Sequence, residues 1–145
     1  MKLRLLTINL HKGFSPLNKS FVLPKLRDCI HSATPDVIFM QEVVGADIRK
    51  AARHKEWPKE PQHEYIAEAA GFEHVYGKNA VYTAGHHGNA ILSRFPILFY
   101  DRVDISTNQL EQRGLLYARL KLPRHKAGLH CICVHLGLLS RSRKK

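Results

Sequence analysis

Cysteine, acidic residues and long apolar runs are all in short supply. The three cysteines, Cys29, Cys131 and Cys133, supply neither an even disulfide framework nor a CxxC zinc pair, which leaves a reduced compartment as the simpler reading. No apolar stretch approaches the roughly 20 residues of a spanning helix, and Met1 runs directly into strand-like alternation with no basic leader or apolar signal core. The chain is therefore expected to be cytoplasmic and water-soluble, without stable membrane insertion. Acids are outnumbered, 12 Asp and Glu against 23 Lys and Arg, for a formal charge of +11. That excess suits a polyanionic partner such as nucleic acid or a phosphorylated surface. Four of the positive charges belong to Arg141, Arg143, Lys144 and Lys145, in a solvated tail that need not take part in binding. What remains is one ordinary domain: 145 residues, 44% of them apolar and 24% charged, enough for a single core and too balanced for a disordered or collagenous chain.

Residues Leu3 to Leu10 read as a buried strand that stops in the turn signal His11-Lys12-Gly13, with Asn9 at its carboxyl end. Leu23, Leu26, Ile30 and Ala33 recur at helical spacing and predict an amphipathic helix from about Ser20, available as N-cap, to Ala33. Val37-Ile38-Phe39-Met40 is an unbroken apolar run ending in Gln41-Glu42, the pattern of a strand buried on both faces. These three elements form a β-α-β unit, whose parallel strands bring Asn9 and Glu42 to the same sheet end, where open α/β sheets place their ligands. A weak helical pattern at Ile48, Ala51 and Ala52 gives way to loop at Trp57 to Pro61, and a second helix is expected from Gln62 to Ala70, stopped by Gly71. Strands are then predicted at Glu73–Tyr76, Gly88–Ser93, Ile97–Ile105 and Arg113–Leu122, with turns at 77–79, Pro96 and 106–108. The last segment, Leu129 to Leu136, is apolar on both faces and predicts a central strand.

Glu42 closes an apolar strand, and a buried carboxylate costs several kcal/mol unless a cation or strong donors compensate it. It is either a ligand for a hard cation such as Mg²⁺ or a strand-end glutamate paired with a neighbouring Lys or Arg. Asn9 either joins it or caps the following loop. His135, before Gly137, can reach a cleft and exchange a proton near neutral pH, or be structural. Arg113, before Gly114, is placed to fork onto a phosphate, or is a surface arginine. The adjacent His86 and His87 do not make a one-ion site from a strand and read as loop residues or as support for the site.

Four segments in order, Leu5-Leu6-Thr7-Ile8-Asn9, Val37 to Val43, Gly88 to Ile97 and Cys133-Val134-His135-Leu136-Gly137, resemble the endonuclease/exonuclease/phosphatase superfamily of metal-dependent phosphodiesterases, deoxyribonuclease-like in fold. The run Asn9 to Phe14, the Asn79-Ala80-Val81-Tyr82 stretch and His86-His87-Gly88-Asn89 look most like an uncharacterised bacterial branch. The resemblance implies an α/β fold, a four-layer sandwich of two packed mixed sheets with outer helices. It also implies that Glu42 binds the catalytic Mg²⁺ (Mn²⁺ possible) directly, that Asn9 assists, that Arg113 contacts the substrate phosphate and that His135 is catalytic.

The sequence departs from the superfamily pattern in lacking its Gly-Asp-Phe-Asn-like and Ser-Asp-His motifs, whose acids orient the attacking water and complete the metal side. The resemblance therefore implies that residues 1–138 are the amino-terminal part of such a domain with the second half missing, and that 139–145 are a basic tail. The expected parent is a divalent-metal-dependent phosphodiester hydrolase acting on nucleic acid or another phosphodiester. The chain itself is expected to be a poorly active fragment prone to aggregation or strand pairing. A phospholipid or small phosphate-ester hydrolase with the same site, and a non-enzymatic basic module that binds nucleic acid, are the alternatives.

Overall fold

A computed structural model describes residues 1–106 and 112–136. The expected β-α-β unit opens it: β1 (Leu5–Asn9), α1 (Leu23–Ser32) and β2 (Val37–Asp47), with β1 and β2 parallel from Leu5 opposite Val37 to Asn9 opposite Gln41. Then come α2 (Ile48–Arg53), α3 (Gln62–Glu68), β3 (Glu73–Tyr82), β4 (Gly85–Ser93), β5 (Ile97–Asp104), β6 (Gly114–Leu122) and β7 (His125–Val134). They build a mixed sheet in the order β1-β2-β4-β3 and an antiparallel sheet in the order β5-β6-β7.

The pleat of β2 explains why both of its faces are apolar. Ile38 and Met40 pack with Leu23 and Ile30 of α1 and Ile66 of α3, whereas Val37 turns the other way, to Leu116, Leu120, Cys131 and Cys133 of the second sheet. Two cores result, one beneath the helices and one between the sheets. The order is thus helices, mixed sheet, antiparallel sheet, the α/β sandwich expected. Among the described residues no helix is long and apolar enough to cross a membrane.

Several boundaries differ from the sequence reading, each for an identifiable reason. β1 is not buried: among the described residues it pairs only with β2, and Leu5 is 59% exposed. Helix α1 begins at Leu23 after Val22, and Ser20 caps nothing there; its hydroxyl and amide instead donate to the Ser15 hydroxyl, beside a Phe14–Phe21 bridge. Residues 77–79 are not a turn. The strand runs on to Tyr82 because Gly88 of β4 meets Gly77 of β3 backbone to backbone, so closely that a Cβ on Gly88 would stand 1.8 Å from the Gly77 carbonyl oxygen. β7 alternates, with Cys131 and Cys133 buried and Ile132 56% exposed, and among the described residues it pairs with β6 alone; it is not a central strand there. The turn expected at 106–108 lies largely outside the described residues, as does the basic tail 139–145.

The close approach of β3 to β4 yields a test. Gly88→Ala should destabilise the chain by about 3 kcal/mol through overpacking against backbone that has no rotamer to relax, read as a lower urea midpoint at unchanged slope. An unchanged midpoint would contradict the packing described.

Candidate functional site

The mixed sheet changes register where the site lies. Met40 pairs with Ala90 and Val43 with Gly88, so two residues of β2, Gln41 and Glu42, face a single residue of β4, Asn89. This is a β-bulge, a device that re-aims a side chain, and Glu42 adopts φ +53° within it, a conformation that costs a non-glycine residue on the order of 1–3 kcal/mol. The pairing of β1 with β2 also ends here, at Asn9 and Gln41. The Leu10 amide still donates to the Gln41 carbonyl at 2.8 Å, after which His11 and Lys12 turn left-handed, at φ +46° and +57°.

The Glu42 carboxylate therefore emerges beside the end of β1 with a defined set of partners. Asn9 Nδ2 donates to its Oε1 at 3.1 Å, while Asn9 Oδ1 accepts from the His11 amide at 2.9 Å. His11 Nδ1 stands 3.5 Å from Oε2 and His135 Nε2 3.8 Å from Oε1. Burial pushes the Glu42 carboxyl up, but the Asn9 amide and the nearby His135, Lys12 and His11 outweigh it, holding the pKa below the usual value. It is an anion at neutral pH.

Three of the four residues singled out in the sequence, Asn9, Glu42 and His135, meet at this point. Arg113 stands at the entrance to β6. The Ser106 hydroxyl accepts from its amide at 2.9 Å and donates to its carbonyl at 3.2 Å, and its guanidinium donates to the Gln112 carbonyl at 3.1 Å. Its charge reaches both His135 and His87. Burial first, then Arg113, lowers the His135 pKa, which leaves a neutral imidazole able to accept a proton at pH 7. Asn89, fully buried, connects the two sheets under these residues: its Nδ2 donates to the Gly114 carbonyl at 2.8 Å and the Cys133 carbonyl at 3.3 Å. It thereby fixes the chain just after Arg113 and just before His135.

His11, Lys12 and His87 also belong to the site, although the sequence reading left His11 and Lys12 in a turn and His87 in a loop or supporting role. His87 lies opposite Val44 in the ladder. Burial, reinforced by Lys12, Lys50 and Arg113 against the pull of Glu42, brings its pKa down to about 4. The double-histidine motif could point to this residue only once the bulged register of β2 on β4 is known.

The donor set decides which cofactor the site suits. Among the described residues no three His, Cys, Asp or Glu side chains assemble a cage for a metal ion, so a transition-metal site of the tetrahedral kind is not formed by them. One half-buried carboxylate beside an amide is what Mg²⁺ or Mn²⁺ accepts when water and substrate phosphate complete the shell. The residues fit such an ion.

Comparison with known proteins bears on the family and the fold. Residues 6–134 match the model of the Endonuclease/Exonuclease/phosphatase family. The chain is 43% identical over 141 residues to the uncharacterized protein YbhP of Escherichia coli K12, covering 97% of this chain and 56% of YbhP. The chain thus spans about half the length of the curated relatives it matches. Among solved structures, an endonuclease/exonuclease/phosphatase from Beutenbergia cavernae superposes with a TM-score of 0.69 at 22% identity, over 92% of this chain and 38% of that one. A humanized D. rerio TDP2 superposes with a TM-score of 0.66 at 21% identity, over 96% and 49%. At these identities the superpositions establish the fold.

The buried histidines make acid stability a test of the packing. His63, stacked on Tyr76 at 4.6 Å, has its pKa lowered by burial from 6.5 to about 3, and His87 to about 4. Both are neutral in the folded chain, whereas the unfolded chain takes up protons below pH 6.5, so stability should fall as pH drops from 6.5 towards 4. His63→Phe keeps the stacking surface and should flatten that dependence in urea unfolding measured at stepped pH. An identical slope in the variant would contradict the buried neutral state of His63.

Proposed function

Since the chain belongs to the endonuclease/exonuclease/phosphatase family, we propose that it carries the metal-side portion of a divalent-metal-dependent phosphodiester hydrolase, with nucleic acid the substrate class its charge of +11 favours. Family members hydrolyse phosphate esters and are generally dependent on divalent metal. The observation that carries the reading is the Glu42 carboxylate, anionic, half-buried and faced by Asn9, His11 and His135 at the bulge.

Glu42 would hold Mg²⁺ or Mn²⁺, with Asn9 fixing the plane of the carboxylate, and the bound ion supplies polarisation of the phosphoryl group and neutralisation of developing charge. Arg113 neutralises a phosphate oxygen. The neutral His135 imidazole exchanges a proton at Nε2 with a reacting oxygen or with water. Lys12 adds a positive field on the same side, as the shifts it causes at Glu42 and His87 attest. Turnover is assigned to a protein of the relatives' full length, and the 145-residue chain alone is expected to be slow and prone to self-association along β7. A second reading, a phospholipid or small phosphate-ester hydrolase, draws on a groove of about 520 Å³ beside Asn9 and His11, walled by Leu10, Phe14, Pro16 and Leu17.

In a protein carrying this chain at the length of its relatives, Glu42→Gln should abolish Mg²⁺-dependent hydrolysis of plasmid DNA and of bis-p-nitrophenyl phosphate. Retention of more than about a tenth of the activity, a loss of only ~1.4 kcal/mol, would contradict the ligand role. His135→Ala and Arg113→Ala should each lower turnover on the order of 10²-fold while leaving Mn²⁺ affinity within about twofold of wild type, because neither is assigned to the ion. Loss of Mn²⁺ binding in either variant on calorimetric titration would overturn that division of roles. A purely electrostatic binding module would instead bind DNA with a steep salt dependence unaffected by Mg²⁺ or by Glu42→Gln.

A further inference from the structure

Gln62 is 1% exposed and opens α3, far in sequence from every residue of the site. Its carboxamide is used at both ends. Oε1 accepts from the Val44 amide at 3.0 Å, and Nε2 donates to the Lys12 carbonyl at 2.9 Å. Val44 sits between the two register breaks of β2, one of which contains Glu42. Lys12 lies in the left-handed run of His11, Lys12 and Gly13, at φ +46°, +57° and +84°. The approach is tight: a Cβ on Gly13 would stand 2.8 Å from Gln62 Nε2. One buried amide thus joins the two strained segments that bear Glu42 on one side and His11 and Lys12 on the other.

We infer that Gln62 is a positioning residue for the site, setting the distance between the Glu42 bulge and the His11-Lys12-Gly13 turn by satisfying one backbone group of each. This inference rests on the phosphodiesterase reading for its catalytic meaning, and on the two hydrogen bonds for its geometry. Strained backbone persists where its surroundings over-determine it, and Gln62 supplies an acceptor to the Val44 amide and a donor to the Lys12 carbonyl. Outer partners of this kind orient the ligands, and losing them typically costs 10- to 100-fold in metal affinity. A carboxamide is suited to the task because it carries an acceptor and a donor at once, without charge, at neutral pH.

The test uses the chain itself with Mn²⁺ as probe. Gln62→Leu, which can make neither bond, should bind Mn²⁺ at least about tenfold more weakly than wild type, and its ¹⁵N amide shifts should change at both 11–13 and 42–44 while Ala118 and Leu120 of the second sheet stay in place. Gln62→Glu should recover affinity relative to wild type as pH is lowered, since only the protonated carboxyl can accept from Val44 and donate to Lys12; this variant answers the question if Gln62→Leu does not fold. Mn²⁺ affinity within twofold of wild type in Gln62→Leu, shifts at only one of the two segments, or no pH-dependent recovery in Gln62→Glu would overturn the assignment. A wild-type chain that binds no Mn²⁺ would count against the phosphodiesterase reading instead, and the pattern of amide shifts would then decide the role of Gln62.

Discussion

The arrangement of the site depends on one irregularity in hydrogen bonding, the bulge that sets Gln41 and Glu42 of β2 opposite the single residue Asn89 of β4. A regular ladder would alternate these side chains between the two buried faces of the strand. One extra residue breaks the alternation, puts Glu42 at φ +53° and delivers its carboxylate to the end of β1. The strain is local, and it is borne by partners on every side: the parallel pairing of Asn9 with Gln41, the antiparallel ladder either side of the break, and the Gln62 amide.

That geometry also sets the electrostatics. A half-buried carboxylate is costly in isolation, and Glu42 is compensated by the Asn9 amide donor and the fields of Lys12 and, when protonated, His135 and His11 rather than by one tight ion pair. The compensation leaves a concentrated negative charge in a basic surround. Burial lowers the pKa of His87 and His135 against the pull of Glu42, which leaves both neutral at pH 7. The second sheet, which brings Arg113 and His135, is tied to the first by Asn89, whose buried amide donates to the Gly114 and Cys133 carbonyls, and by the apolar core the two sheets share.

How much of this was legible in the sequence depends on the range over which each signal acts. The β1-α1-β2 unit, the stop at Gly71 and the break at Pro96 follow from local periodicity and punctuation, and a lone acid closing an apolar run marked Glu42 without help from the fold. Longer-range features were hidden. Gly77-Lys78-Asn79 has turn composition, but its glycine serves the close approach of β3 to Gly88. Ser20 has the chemistry of an N-cap and spends it on Ser15. The β7 sequence is apolar on both faces, yet Ile132 is exposed because among the described residues nothing lies over that side of the sheet. Gln62, His11 and His87 acquire their roles through register and contacts across 18 to 50 residues of chain, which no local pattern encodes.

The central claim, that the bulged Glu42 is the point at which this fold receives a divalent cation, is tested most directly by titrating Mn²⁺ into the ¹⁵N-labelled chain and recording which amides broaden. The account predicts selective broadening centred on Asn9, His11, Glu42 and Val43, abolished by Glu42→Gln. Broadening centred on Glu60, Glu64 and Glu68 beside His74, where a separate acidic hollow lies, or broadening at Asn9 and Glu42 that survives Glu42→Gln, would contradict it.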